Sequence, residues 1–116
     1  MSIKTQTFNN MEIALLELKG NFIGGTETDE LKQKAHELFD QGNRKLILDL
    51  GDVRYLNSTG IGALMHIYTH YVKDKGKIKL CNIAKGIQNV FVITQLVKIF
   101  DIEETKDGAL ENFGKK

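Results

Sequence analysis

The sequence has no proline, no tryptophan and a single cysteine, Cys81. Without proline or a low-complexity run there is no sign of a stiff linker, and no repeat divides the chain. A lone cysteine cannot close an internal disulfide, so the fold owes nothing to an oxidising compartment. Excess charge is missing too: 16 basic residues face 15 acidic ones, a formal net charge of +1. Such a balance gives no reason to expect DNA, RNA or an anionic membrane as partner. No apolar run approaches the roughly 20 residues that cross a bilayer, and no membrane insertion is expected. The opening Met1-Ser2-Ile3-Lys4-Thr5-Gln6 lacks the apolar core of a signal peptide, so the expected location is the cytoplasm. What is present is an ordinary folding composition, 41% hydrophobic and 27% charged over 116 residues, enough for one domain spanning 1–116.

The pattern along the chain predicts an α/β fold. Ile3 to Phe8 is a weak strand, Asn9-Asn10 a tight turn, and Met11 to Lys19 a strand with an irregularity near Leu16 to Leu18. Gly20 and Gly24-Gly25 mark the following loop. Thr26 is expected to cap a first helix with Leu31, Ala35, Leu38 and Phe39 on one face and Gly42 at its end. Lys45 to Leu50 reads as a strand buried on both faces. A loop over 51–57 follows, and then a helix capped by Ser58 or Thr59, with Ile61, Leu64, Met65, Tyr68 and Val72 as its inward stripe. Gly76 stops it. A strand from Ile78 to Ile83, a helix from Lys85 to Gln95 with Ile87, Val90, Phe91 and Thr94 inward, a strand from Ile99 to Ile102 and a last helix capped by Asp107, carrying Ala109, Leu110 and Phe113, complete the chain. Early strands followed by alternating helix and strand predict a mixed sheet of four or five strands with one antiparallel hairpin and about four helices.

The candidate site is the junction between the buried strand and the second helix. In open α/β sheets binding sites form beyond the carboxyl ends of the strands, and Ser58 stands there at the mouth of a helix. A phosphate on Ser58 would meet free N–H groups and the positive end of the helix dipole, and would add a charge of about −1.5 to −2. Gly60 and Gly62 are expected to keep bulk off the first turn, so that another molecule can approach the backbone. Helix-start chemistry alone equally allows Ser58 to be a simple cap.

The stretch Leu48-Asp49-Leu50-Gly51-Asp52-Val53-Arg54-Tyr55-Leu56-Asn57-Ser58-Thr59-Gly60-Ile61-Gly62-Ala63-Leu64 resembles the signature of the STAS domain family, in particular of bacterial anti-sigma factor antagonists. The resemblance extends over nearly the whole chain, from the early hairpin through Leu31-Lys32 to Ile87–Phe91 and Leu96-Val97-Lys98-Ile99-Phe100. It implies a protein that binds an anti-sigma factor, often itself a serine kinase, and so frees a sigma factor for transcription. The kinase phosphorylates Ser58, the modified form no longer binds, and a metal-dependent serine phosphatase restores it. Asn57, Thr59 and Gly60 would shape the acceptor loop, with Asp52, Arg54, Ile61 and Gly62 in the docking surface. The domain would be ligand and substrate of its partners rather than an enzyme, and weak self-association is compatible with the same surface. Position 57 is Asn where the family mostly has Asp, and position 23 is Ile where an acid is common. An alternative role is a non-phosphorylated STAS docking subunit of a lipid-transport ABC system.

Other features point to no chemistry. His66 and His70 have a two-ligand spacing on the second helix, but they lie opposite its apolar stripe and His36 sits on another helix, so a solvated face is expected and no metal. Gly60-Ile61-Gly62 and Gly24-Gly25 complete no nucleotide-binding pattern, and no cofactor is expected. Cys81 reads as a buried apolar residue. Lys73, Asp74, Lys75, Lys77 and Lys79 read as a solvated helix end and turn. Asp49 and Asp52 flank the loop without an accompanying base, which gives no support to acid–base catalysis.

Overall fold

The computed structural model describes residues 3–8, 12–22 and 24–114. The expected Asn9-Asn10 turn, the strand start at Met11 and the side chain of Ile23 lie outside the described residues. The elements run β1 (Ile3–Phe8), β2 (Ile13–Phe22), α1 (Thr26–Asp40), β3 (Lys45–Leu56), α2 (Ser58–Lys73), β4 (Lys77–Cys81), α3 (Lys85–Ile93), a 3-10 turn (Leu96–Lys98), β5 (Asp101–Glu103) and α4 (Lys106–Gly114). The sheet has the spatial order β1-β2-β3-β4-β5. Among the described residues only β1 and β2 pair antiparallel, and every other neighbouring pair is parallel. This is the expected mixed α/β sheet, with five strands and four α-helices.

Alternation in β2 and β3 sends side chains to two apolar layers. Ala14, Leu16, Leu18, Leu46, Leu48 and Leu50 join the larger layer beneath α1, α2 and α3. Ile13, Leu15 and Ile47 face the other way and meet Cys81, Ala109 and Phe113 of α4. Burial on both faces is why β3 reads as a continuous apolar run. Cys81 is buried as expected, and burial first, then the charge of Asp49, pushes its thiol up to about 12.

The helices start and stop differently from their sequence signals. Thr26 makes no cap: α1 begins after Gly25, and Thr28 instead accepts a hydrogen bond from the Gly24 N–H at 2.9 Å. At the other end Asn43 N–H reaches Leu38 O and Gly42 N–H reaches Phe39 O, with Gly42 at φ 101°; this left-handed closure ends the helix as expected. The buried face of α2 is Gly60, Ala63, Leu64, Ile67 and Tyr71. Ile61, Met65 and Tyr68 only flank it, and Val72 is 44% exposed. Thr94 is exposed and follows α3 rather than facing inward. Ile99 is exposed before the short β5, which follows the 3-10 turn. In α4 the cap is Thr105, whose hydroxyl accepts from Gly108 N–H at 2.9 Å, and Asp107 lies in the first turn.

Two further expectations change. Lys79 is only 7% exposed; it donates to Asp101 and Glu103 on the adjacent β5 and is no part of a solvated run. Burial opposes its charge, but those two carboxylates outweigh burial and raise its pKa. The histidines do not form a purely solvated face either: His36 of α1 stacks on both His66 and His70, and His70 is half-buried.

Tyr71 ties α1 to α2. It is fully buried, meets the Phe39 ring edge-on at 4.7 Å, and donates its hydroxyl to Ala35 O at 2.7 Å. Tyr71→Phe keeps the ring and removes this bond, so it should cost about 1 kcal/mol. The check is urea unfolding, with a lower midpoint at unchanged slope; an unshifted midpoint would show that the bond contributes nothing.

Candidate functional site

The expected loop over 51–57 does not exist as a loop. β3 continues to Leu56, and its second half pairs with the end of β2: Gly20 lies opposite Val53, Asn21 opposite Tyr55 and Phe22 opposite Leu56. Register shifts between Glu17 and Lys19 and between Gly20 and Asn21 let the two strands stay paired. Gly20, at φ 107°, is therefore inside a strand rather than in the following loop. Burial of Val53 and partial burial of Leu56 in the larger apolar layer hold the extension down. A single residue, Asn57, separates strand from helix.

Asn57 makes the turn and the cap together. Its backbone is extended (φ −110°, ψ −171°), its side-chain oxygen accepts from Gly60 N–H at 3.0 Å, and its carbonyl accepts from Ile61 N–H at 2.8 Å. Neither Ser58 nor Thr59 is the cap. Both are exposed in the first turn, where N–H groups have no carbonyl one turn back. That turn carries no acidic residue, so the positive end of the dipole is unopposed. Asn57 caps as well as Asp would, without adding a negative charge beside Ser58.

The two glycines have different reasons. At Gly60 a Cβ would lie 1.9 Å from the Phe22 carbonyl oxygen. Gly60 is thus buried and lets α2 start against the end of β2, not against a partner as expected. Gly62 is exposed and a Cβ there would meet nothing within 4 Å. A Cβ on Gly24 would stand 3.4 Å from Thr59 Cγ2, so the start of α1 borders the same turn.

Asp52 and Arg54 are exposed on the β3 extension and line a shallow cleft of about 530 Å³ with Lys19, Tyr55, Ala84 and Gly86. Ile61 is half-buried against the core. Of the residues expected at the site, Asp52, Arg54, Asn57, Ser58, Thr59 and Gly62 are exposed, whereas Gly60 is buried and Ile61 half-buried. Tyr55, 64% exposed, lines the same cleft as Asp52 and Arg54; its signal in the sequence is an aromatic set among charged residues just before Ser58. Asp49 does not pair with Asp52. It is buried, accepting from Gly51 N–H at 2.9 Å and from the Asn82 amide at 3.1 Å, and so braces β3 where its register against β2 shifts. Among the described residues no group of three His, Cys, Asp or Glu is arranged to hold a metal ion, and no helix is long and apolar enough to cross a membrane.

Comparison with known proteins finds the same family and fold. A model of the STAS domain fits residues 3–109. The anti-sigma-B factor antagonist of Bacillus subtilis is 33% identical over 81 residues, 70% of this chain and 73% of that protein. An anti-sigma-factor antagonist (STAS) domain protein from Planctomyces limnophilus superposes with a TM-score of 0.81 at 17% identity, covering 97% of this chain and 98% of that one. The Bacillus cell fate determinant SpoIIAA in its phosphorylated form superposes with a TM-score of 0.74 at 15% identity, covering 95% and 97%.

The local geometry separates three substitutions. Asn57→Ala removes the cap and should cost about 1 kcal/mol. Gly60→Ala forces α2 away from Phe22 and should cost about 3 kcal/mol, in the range of a core overpacking. Gly62→Ala has open space and should stabilise by about 0.5–1 kcal/mol through helix propensity. Chemical denaturation of the three variants checks the order; Gly60→Ala and Gly62→Ala with equal stabilities would remove the packing role given to Gly60.

Proposed function

The chain belongs to the STAS domain family, and on that footing we propose that it is an anti-sigma factor antagonist, acting by binding, whose affinity for its anti-sigma factor is switched off by phosphorylation of Ser58. The observation that carries this reading is the state of Ser58: exposed, at the first position of α2, with the capping done by Asn57. Its hydroxyl is therefore available to a kinase without loss of the helix cap. The relative in Bacillus subtilis is named an anti-sigma-B factor antagonist, and a structurally similar protein, SpoIIAA, has a phosphorylated form; both support the reading. The partners it requires are an anti-sigma factor with serine kinase activity and a serine phosphatase, and the readout is sigma-factor-dependent transcription.

The physics of the switch is local. The phosphate would take the N–H groups of the first turn as donors and would be favoured by the helix dipole. A charge of about −1.5 to −2 would then stand on the exposed first turn of α2, beside Thr59. A partner surface complementary to a neutral hydroxyl meets a dianion instead, and like charge or an unpaired desolvated charge breaks the complex. The fold need not change. Asn57, in place of the Asp more usual there, favours a second reading in which the same edge docks on a transporter complex without a phosphorylation cycle.

Three measurements test the proposal. An anti-sigma factor serine kinase that binds this chain, with ATP, should place one phosphate on Ser58, as mapped by mass spectrometry; phosphate elsewhere, or none from an active kinase, would sink the acceptor assignment. Ser58→Asp should weaken the complex by roughly tenfold or more, a change of about 1.4 kcal/mol, while Ser58→Ala binds as the parent does. The phosphorylated protein should also be more stable by about 0.3–1 kcal/mol, because the anion sits at a helix N-terminus. A destabilised phosphoprotein would mean that binding is lost through unfolding and not through charge.

A further inference from the structure

α1 and α2 lie side by side on one face of the sheet, and three imidazoles meet in the seam between them. The His36 ring stacks on His70 with centroids 4.1 Å apart and planes 26° apart, and on His66 at 5.0 Å and 30°. Phe39 meets His70 edge-on at 4.9 Å and Tyr71 at 4.7 Å, so the stack rests directly on the core. The Nε2 atoms of His36 and His70 are both buried and have no hydrogen-bond partner. The rings lie nearly parallel instead of converging on a point, and no set of three His, Cys, Asp or Glu among the described residues is placed to hold a metal ion. The chemistry of the seam is that of protons.

Neutral imidazoles stack at little cost. An imidazolium is a double donor. A proton here faces two penalties: an N–H at a buried Nε2 finds no acceptor, and a second charge would sit within about 5 Å of the first. The surrounding charges do not relieve both. On α1, Lys32 opposes charge on His36 and Asp40 favours it, while Glu37 is engaged by the Gln33 amide at 3.2 Å. On α2, Lys73 and Asp74 follow His70 and are exposed. From the α1–β3 connection Arg44 lies over the Phe39 ring at 4.1 Å, adding a cation. The strands beneath present the apolar side chains Leu16, Leu18, Leu46, Leu48, Ile78 and Leu80 to this side.

We propose that His36, stacked on His66 and His70, forms a proton-operated clasp between α1 and α2, closed while the His36 ring is neutral and opened as mildly acid solution forces a proton onto it. The direction at His36 agrees: burial first, then the charges of His70 and His66, hold it below the ordinary imidazole value of 6.5. The unfolded chain then binds the proton before the folded one does. The clasp therefore contributes its full stability above pH 6.5 and loses it as the pH falls through 6.5 toward the folded value. The element it releases is the helix whose first turn carries Ser58, so acid would loosen the support of the docking edge independently of phosphorylation.

The test uses the whole chain in buffer with a chelator, followed by NMR of the histidine rings and by amide hydrogen exchange from pH 8 to pH 5. His36 should titrate below 6.5. Protection factors of amides in α1 and α2 along the seam should fall by up to about tenfold per pH unit over that window, and more than those of β3. His36→Gln, which cannot be protonated, should flatten this dependence. A His36 midpoint at or above 6.5, with seam protection constant across the range, would overturn the clasp. So would a His36→Gln protein that keeps the parent's pH dependence. If His36→Gln does not fold, the ring titration and exchange profile of the parent chain decide the matter alone.

Discussion

A single close approach organises the candidate site. The first turn of α2 lies against the carbonyl of Phe22, with no room for a Cβ at position 60. Two strands must be paired to their ends for that contact to form, since Phe22 is the last residue of β2 and lies opposite Leu56, the last of β3. The chain then has one residue in which to turn from strand to helix. Asn57 is suited to it, because its extended backbone continues the strand while its side chain already caps the helix. Ser58 is left outward by this geometry. Its exposure comes from the packing of its neighbours and from no interaction of its own.

The remainder of the fold makes that contact rigid. β3 is buried on both faces along its first half, so its position is set by two apolar layers at once. Asp49 braces the register shift into the second half by accepting from Gly51 N–H and the Asn82 side chain. α2 is held along its length by Leu64, Ile67 and Tyr71, the last tied to the backbone of α1. One helix thus carries two charge-sensitive features of different kinds. At its N-terminus the dipole favours a negative charge, which on the proposed function would be the phosphate of Ser58. In its second half His70 stacks on the His36 ring of α1, the Nε2 atom of each having no hydrogen-bond partner. The first acts on what the surface presents and the second on how firmly the helix is held.

Much of this was legible in the chain. The spacing of Leu31, Ala35, Leu38 and Phe39 located the buried face of α1, and Gly42 its end, because a stripe of large apolar residues followed by a glycine has few other solutions. The apolar run Leu46 to Leu50 located the central strand. The serine at the strand–helix junction was legible from motif and dipole together. Other positions misled for identifiable reasons. Residues 51–57 contain a glycine, two charges and an asparagine, a loop composition by any local rule, yet Val53 and Leu56 had apolar partners and a neighbouring strand to pair with. Gly60 and Gly62 look alike in sequence; only one of them faces another segment's backbone. Lys79 sat in a basic run and read as solvated, because its two carboxylates lie on a strand more than 20 residues further on.

The sequence by itself determined the class of fold, the order of its elements, and the start of the helix bearing Ser58. Those follow from periodicity and short-range helix-end chemistry, which act within a few residues. Only the tertiary structure decided that Asn57 and not Ser58 is the cap, that Gly60 serves packing, and that Tyr55 lines the same cleft as Asp52 and Arg54. It also brought His36 onto His66 and His70, thirty residues and more away in the chain. Those outcomes depend on which backbone and side-chain atoms arrive from other elements, and no local pattern encodes the distance between two segments that meet only when the core closes.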